Sequence, residues 1–171
     1  CVVLVRTKLL ERQVPAVDMS SFWAHPANVP EAFPQRGRPV AIADVTLHRR
    51  RSTPVQYRII SSHSAHGIDW TDTSIVQAYL DSFASIGATP DNLVWGGDFN
   101  SEVSGYQTTW NGRPIRKVER KKLARNTTQF HKKIDWILGT SATNQNPTDV
   151  VIMKTGSDHR IVAQTLRAGF A

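Results

Sequence analysis

Hydrophobic and polar positions alternate along much of this chain. In Val40–His48, Val40, Ile42, Asp44 and Thr46 alternate with Ala41, Ala43, Val45 and Leu47, which predicts a strand buried mainly on one face. Val55–Ser62 predicts a partner strand, joined to the first through Arg49-Arg50-Arg51-Ser52-Thr53-Pro54 as a hairpin. Val2–Leu10 reads as an earlier strand, and the proline-interrupted Asp18–Arg38 reads as a loop. Over Asp72–Ile86 the period changes: Ile75, Tyr79 and Phe83 recur every fourth residue, with Val76 and Leu80 beside them, which predicts a helix. Thr71 or Asp72 can cap its start and Gly87 can close its end. Asn92–Gly97 is a short apolar strand ending in two glycines. Ser101–His131 is long, polar and basic, and no element is predicted in it. Lys133–Leu138, Asp149–Lys154 and Ile161–Leu166 read as three closing strands.

Paired strands with one crossover helix predict an α/β fold, two sheets packed inside with helices outside. With 171 residues, no repeat and no linker, the chain reads as one domain, 1–171. No apolar run reaches the length of a membrane span, and Arg6 and Lys8 interrupt the opening apolar stretch, so no signal peptide is read there. The single cysteine, Cys1, excludes an intramolecular disulfide framework and a cysteine-rich zinc site, and leaves the compartment open. Lysine and arginine number 21 against 14 acidic residues, a net charge of +7 that favours an anionic partner.

Four polar clusters fall at predicted strand ends, where loops present side chains on a rigid scaffold. They are Ser62-His63-Ser64, Gly96-Gly97-Asp98-Phe99-Asn100, Ile134-Asp135-Trp136 and Ser157-Asp158-His159-Arg160. Asp98 and Asn100, two apart, point the same way in extended backbone, so a carboxylate and an amide can together hold a phosphate, a water and a hard cation. The plainer reading of that segment is a β-turn, and taken alone it is the better one. Asp158 beside His159 joins an oxygen ligand to a group that shuttles protons near neutral pH, but it also reads as a surface turn. A single histidine such as His63 is more often structural. Asp135 lies inside an apolar strand, where a carboxylate is costly unless it has a partner.

Taken together, in this order and at strand ends, His63, Gly97-Asp98-Phe99-Asn100, Ile134-Asp135 and Ser157-Asp158-His159 resemble the endonuclease/exonuclease/phosphatase superfamily, the pancreatic deoxyribonuclease-like proteins. The resemblance runs from Ile59 to Leu166; Val2–Leu10 and the Arg38-Pro39 step also look like family segments. It implies a four-layer sandwich and metal-dependent phosphodiester hydrolysis with Mg²⁺, or Mn²⁺ or Ca²⁺ in its place. His63 is then a general acid or phosphate-stabilising group. Asp98 and Asn100 orient the attacking water and the phosphate and contribute to the metal site, and Asp158 helps to hold the metal. His159 stabilises the phosphorane or acts as base, with Asp135 orienting it, which also supplies the partner that a carboxylate in an apolar strand requires.

The basic segment gives the expected substrate. Arg113, Arg116, Lys117, Arg120, Lys121, Lys122, Arg125, Lys132 and Lys133 are offset only by Glu119. In the family the stretch after the Asp-Phe-Asn block borders the active site, so these cations, with Arg38, are expected to track a phosphate backbone, most simply that of DNA. Trp110 and Tyr106 are expected to stack on bases, while Trp70, Trp95 and Trp136 are assigned to the core.

The family's opening strands, one bearing an Asn and one ending in a Gln-Glu pair whose Glu is the main metal ligand, have no counterpart here, and Glu11 does not match. The expectation is therefore the later portion of a longer domain, a second polypeptide supplying those strands, or a degenerate metal site, with the chain by itself inactive or nearly so. Three functions follow: a Mg²⁺-dependent nuclease, a phosphatase or phosphodiesterase for a small or lipid phosphate, and a non-catalytic nucleic-acid-binding domain.

Overall fold

The computed structural model describes residues 23–24, 38–49, 52–64, 66, 68–101, 108–117, 133–140, 151–153, 156–159 and 161–163. The long alternating segments become a hairpin, β2 (Arg38–Arg49) and β3 (Ser52–His63), in register from Val40↔Ser62 to Leu47↔Val55 and irregular between Leu47 and Arg49. A two-residue strand, β1 (Trp23–Ala24), pairs with the start of β2. After β3 the chain crosses through α1 (Thr73–Ala84) to β4 (Asn92–Asp98), which pairs parallel with β3. A parallel partner requires such a crossover, because a tight turn can only return the chain antiparallel. The order of the seven-stranded sheet is β1-β2-β3-β4-β7-β6-β5, with β5 (Thr109–Trp110), β6 (Arg113–Lys117) and β7 (Asp135–Thr140). Strands β8 (Val151–Met153) and β9 (Ile161–Ala163) form a separate two-stranded sheet. The α/β class and the strand–helix order agree with the sequence pattern. The Val2–Leu10 strand lies outside the described residues.

The helix begins where a side chain can replace a missing backbone partner: Asp72, in extended conformation, accepts a hydrogen bond from the Ser74 amide at 2.8 Å. It ends at Ser85, and Gly87, at φ 62°, turns the chain towards β4. The buried face is Ile75, Val76, Tyr79, Leu80 and Phe83, packed with Ile60, Leu93, Trp95, Phe99, Trp110, Trp136 and Leu138 in one core. Even-numbered residues of β3 and odd-numbered residues of β4 face this helix side, since Ile60, Ser62, Leu93 and Trp95 are all buried.

Two expectations are corrected. Ser101–His131 is not without structure, because β5 and β6 form a hairpin inside it. Its turn is Asn111-Gly112, with φ of 47° and 72°, and positive φ at both central residues is what a tight type I′ hairpin requires. The basic composition concealed an Asn-Gly turn signal. Trp110 does not stack on bases, being 2% exposed, in the core, with Nε1 donating to the Pro90 carbonyl at 2.8 Å. Its position on β5 beside that turn places it under α1. Tyr106 lies outside the described residues. Trp70, Trp95 and Trp136 are core residues as expected.

Candidate active site

Strand register assembles the site. His63 at the end of β3 pairs with Asp98 at the end of β4, and Asp98 pairs with Asp135 at the start of β7. The three residues therefore form one row across three neighbouring strands. Directly paired residues project to the same face, and here it is the face opposite α1. Two glycines precede Asp98. Gly97 has φ 150°, and a Cβ there would overlap the Ser62 carbonyl, so only glycine lets β4 approach β3 at this point.

The fourth member comes from the other sheet. His159, in the β8–β9 connection, places Nδ1 3.0 Å from Asp135 Oδ1 and 3.1 Å from Oδ2. Its Nε2 lies 3.7 Å from Asp98 Oδ2, and His63 Nε2 lies 3.5 Å from the same oxygen. One carboxylate oxygen thus faces two imidazoles, while Asp98 Oδ1 accepts from the Asn100 amide at 2.8 Å. The Asn100 side chain donates from Nδ2 to the Ser64 carbonyl at 2.7 Å, tying the loop after β4 to the end of β3.

Burial tends to lower the His159 pKa. The hydrogen bond and charge of Asp135, with the charges of Asp98 and Asp158, outweigh that effect and hold the imidazole above its ordinary 6.5. An imidazolium held by Asp135 on Nδ1 presents Nε2–H towards Asp98, a donor suited to a phosphoryl oxygen. Asp98, Asp135 and His159 also offer three potential ligand atoms within 4.8 Å of one another. The two carboxylates fit a hard divalent cation, which takes oxygen ligands and completes its shell with water. A protonated imidazole does not ligate, and His159 is already engaged by Asp135, so its chemistry fits a phosphate contact better than a metal bond.

The structure brings His63, Asp98, Asn100, Asp135 and His159 together. Asp158 is exposed, accepts from Ser157 Oγ at 3.0 Å and lies outside the three-ligand group. Arg113 is not brought to the cluster: its guanidinium is 3.5 Å from Asp91 Oδ2 and 3.4 Å from Asn92 Oδ1, at the opposite end of β4 from Asp98. At ~3.3 Å per strand residue that is on the order of 20 Å away. Arg38, Arg116 and Lys117 are placed as strand residues of β2 and β6, and Arg120, Lys121, Lys122 and Arg125 lie outside the described residues. The cross-strand row itself has no residue-spacing signature, although the Gly-Gly pair before Asp98 marks the close strand approach.

No protein-family model matches the chain, and no curated protein matches it. Solved structures do. The endonuclease domain of TRAS1, a telomere-specific non-LTR retrotransposon, matches at 13% identity and a TM-score of 0.48, over 75% of this chain and 62% of that one. The catalytic domain of Xenopus laevis APE2 matches at 15% and 0.48, over 79% and 58%. The human Nocturnin catalytic domain matches at 15% and 0.42, over 77% and 54%. These structures belong to the endonuclease/exonuclease/phosphatase superfamily, the one the sequence resembles. The chain spans between 54% and 62% of their lengths. Likeness at this level does not carry their activities across.

Proposed function

We propose that the chain hydrolyses phosphodiester bonds of nucleic acid, most simply DNA, with a divalent metal ion, Mg²⁺. The observation that carries this reading is the row His63–Asp98–Asp135 with His159 closing over it. Two imidazole edges converge on one carboxylate oxygen, an arrangement with donors for a phosphate and an acceptor for the proton of an attacking water. Asp135 fixes the His159 ring so that Nε2, not Nδ1, faces the reacting group. Asp98 orients the nucleophile, with Asn100 beside it. Asp98 and Asp135 hold the metal, with Asp158 available from the neighbouring loop. When bound, the metal neutralises phosphate charge and makes water more acidic. The basic segment that follows β5 supplies the reason for preferring a polyanionic substrate to a small phosphate.

The test is plasmid nicking by the 171-residue chain at high protein concentration, with Mg²⁺ or EDTA. Nicking that requires Mg²⁺ is expected. EDTA, Asp98→Ala and His63→Ala should each abolish it. Nicking that persists in EDTA or in Asp98→Ala overturns the reading. Salt-sensitive DNA binding without any nicking would select a second reading, a non-catalytic nucleic-acid-binding domain.

A further inference from the structure

The loop carrying Asp98 and Asn100 is gripped from both sides by buried indoles. Asn100 has φ 52°, the left-handed region, which is best tolerated by glycine, asparagine and aspartate. The carbonyl before Asn100, that of Phe99, accepts from Trp70 Nε1 at 2.9 Å. The carbonyl of the following residue, Ser101, one peptide further on, accepts from Trp136 Nε1 at 3.1 Å. Neither indole is free to follow the loop. Trp70 is 1% exposed and wedged against Tyr79, Trp95 and Phe99, at ring-centroid distances of 5.2, 5.6 and 5.0 Å. Trp136 is 5% exposed on β7, next to Asp135. The Phe99 amide also donates to the Ile134 carbonyl at 2.8 Å, and the Ser64 amide to the Asp98 carbonyl at 2.8 Å.

From these contacts we infer that Trp70 and Trp136 are positioning residues of the active site, setting the backbone on either side of Asn100 so that Asp98 and Asn100 face the two histidines together. This rests on the proposed phosphodiesterase reading. Without the Trp70 N–H, the buried Phe99 carbonyl loses this donor, and rotation of the Phe99–Asn100 peptide unit in search of another takes Asn100 out of its left-handed conformation and breaks the hydrogen bond from the Asn100 amide to Asp98 Oδ1. The Trp136 contact anchors the chain one residue further on, at the part-buried Ser101 carbonyl. Both indoles act through the loop, since their described hydrogen bonds go to its backbone carbonyls.

The experiment compares Trp70→Phe, Trp136→Phe and Trp110→Phe in the 171-residue chain. Each keeps an aromatic ring and removes one buried indole donor. Trp110 donates to Pro90, away from the loop, and is the matched control for general destabilisation. One readout is the Asn100 amide–Hα three-bond coupling, which reports φ directly. The other is turnover of bis(p-nitrophenyl) phosphate with Mg²⁺. Trp70→Phe should change the Asn100 coupling and lower kcat by about 10²-fold, the scale of a misplaced catalytic group, with KM little changed; Trp136→Phe, which releases the next residue, should change both in the same direction and by less. Trp110→Phe should do neither. An unchanged coupling in both site variants, an equal change in Trp110→Phe, or a changed coupling with wild-type kcat overturns the inference. If the unsubstituted chain does not cleave the diester, the phosphodiesterase reading fails, and the coupling alone then decides whether the indoles set Asn100.

Discussion

Replacing Arg58 with methionine should cost this fold more stability than removing either histidine of the candidate site. Arg58 is 1% exposed, and its guanidinium makes four hydrogen bonds. Nε and Nη2 donate to the two oxygens of Asp44, both at 2.7 Å, across the register pair Asp44↔Arg58. Nη1 donates to the Phe83 carbonyl at 2.6 Å, and Nη2 also to the Ala88 carbonyl at 3.0 Å. The Phe83 carbonyl lies in the last turn of α1, where backbone acceptors have no intrahelical donor and a cation complements the helix dipole. One side chain thus joins β2, β3, the end of α1 and the turn into β4, with its charged carbon 6.0 Å from the Trp110 ring centre.

Removing one partner of a buried ion pair costs about 3–5 kcal/mol, because the remaining charge is left without compensation. Asp44 retains 24% exposure and can partly rehydrate, which pulls towards the lower end. Loss of the donor to the buried Phe83 carbonyl adds about 1–3 kcal/mol and pulls back up. The expected loss for Arg58→Met is therefore about 3–5 kcal/mol, or roughly 6–20 °C in Tm for a chain of this size. Urea unfolding of Arg58→Met, Asp44→Asn and the double variant measures it. The double variant should cost less than the sum of the singles, since neither then leaves an unpaired charge behind. If Arg58→Met stays within about 1 kcal/mol of the parent, the guanidinium is not the joint described here.

Gly97→Ala should unfold the chain or leave it without activity, as the new Cβ would occupy the space of the Ser62 carbonyl; a soluble, active alanine variant would contradict the close strand approach. In metal-free protein the His159 ring should titrate above 6.5, and Asp135→Asn should bring it down; an unchanged NMR titration would show that Asp135 is not the cause. Because the folded value is the higher one, the associated stability is fully present below about 6.5, the ordinary histidine value, and is lost as pH rises through the raised value. Urea midpoints across that window should fall in the parent and flatten in Asp135→Asn. Lys121→Ala with Lys122→Ala should weaken DNA binding and reduce the slope of log affinity against log salt by about 2, one for each phosphate no longer neutralised; an unchanged slope removes these lysines from the interface.

Much of the site was legible in the sequence, and strand periodicity explains why. A strand that presents chemistry at its end shows an apolar run followed at once by polar residues, and His63 and Asp98 carry that mark, while Asp135, at the start of β7, stands out as a carboxylate among apolar neighbours. Their convergence needed the register, which lines the three up across β3, β4 and β7. The supports were not legible. An indole reaching a backbone carbonyl, as Trp70 does for Phe99, leaves no pattern in residue types. Arg58 and Asp44 read as ordinary polar positions in alternating strands, although Arg58 turns into the core. Contrasting these buried and half-buried carboxylates shows what distinguishes scaffold from site in one sheet. Asp44 is matched by a guanidinium that grips both carboxylate oxygens, a fixed joint. Asp98 and Asp135 are matched by imidazoles, whose charge can be given up near neutrality. A permanent cation at His63 or His159 would hold the carboxylates as firmly and would have no proton to exchange with a substrate. The fold places the Asp44–Arg58 pair against the end of the helix and the carboxylate–imidazole pairs at strand ends on the opposite face of the sheet, the placement that the proposed hydrolysis requires.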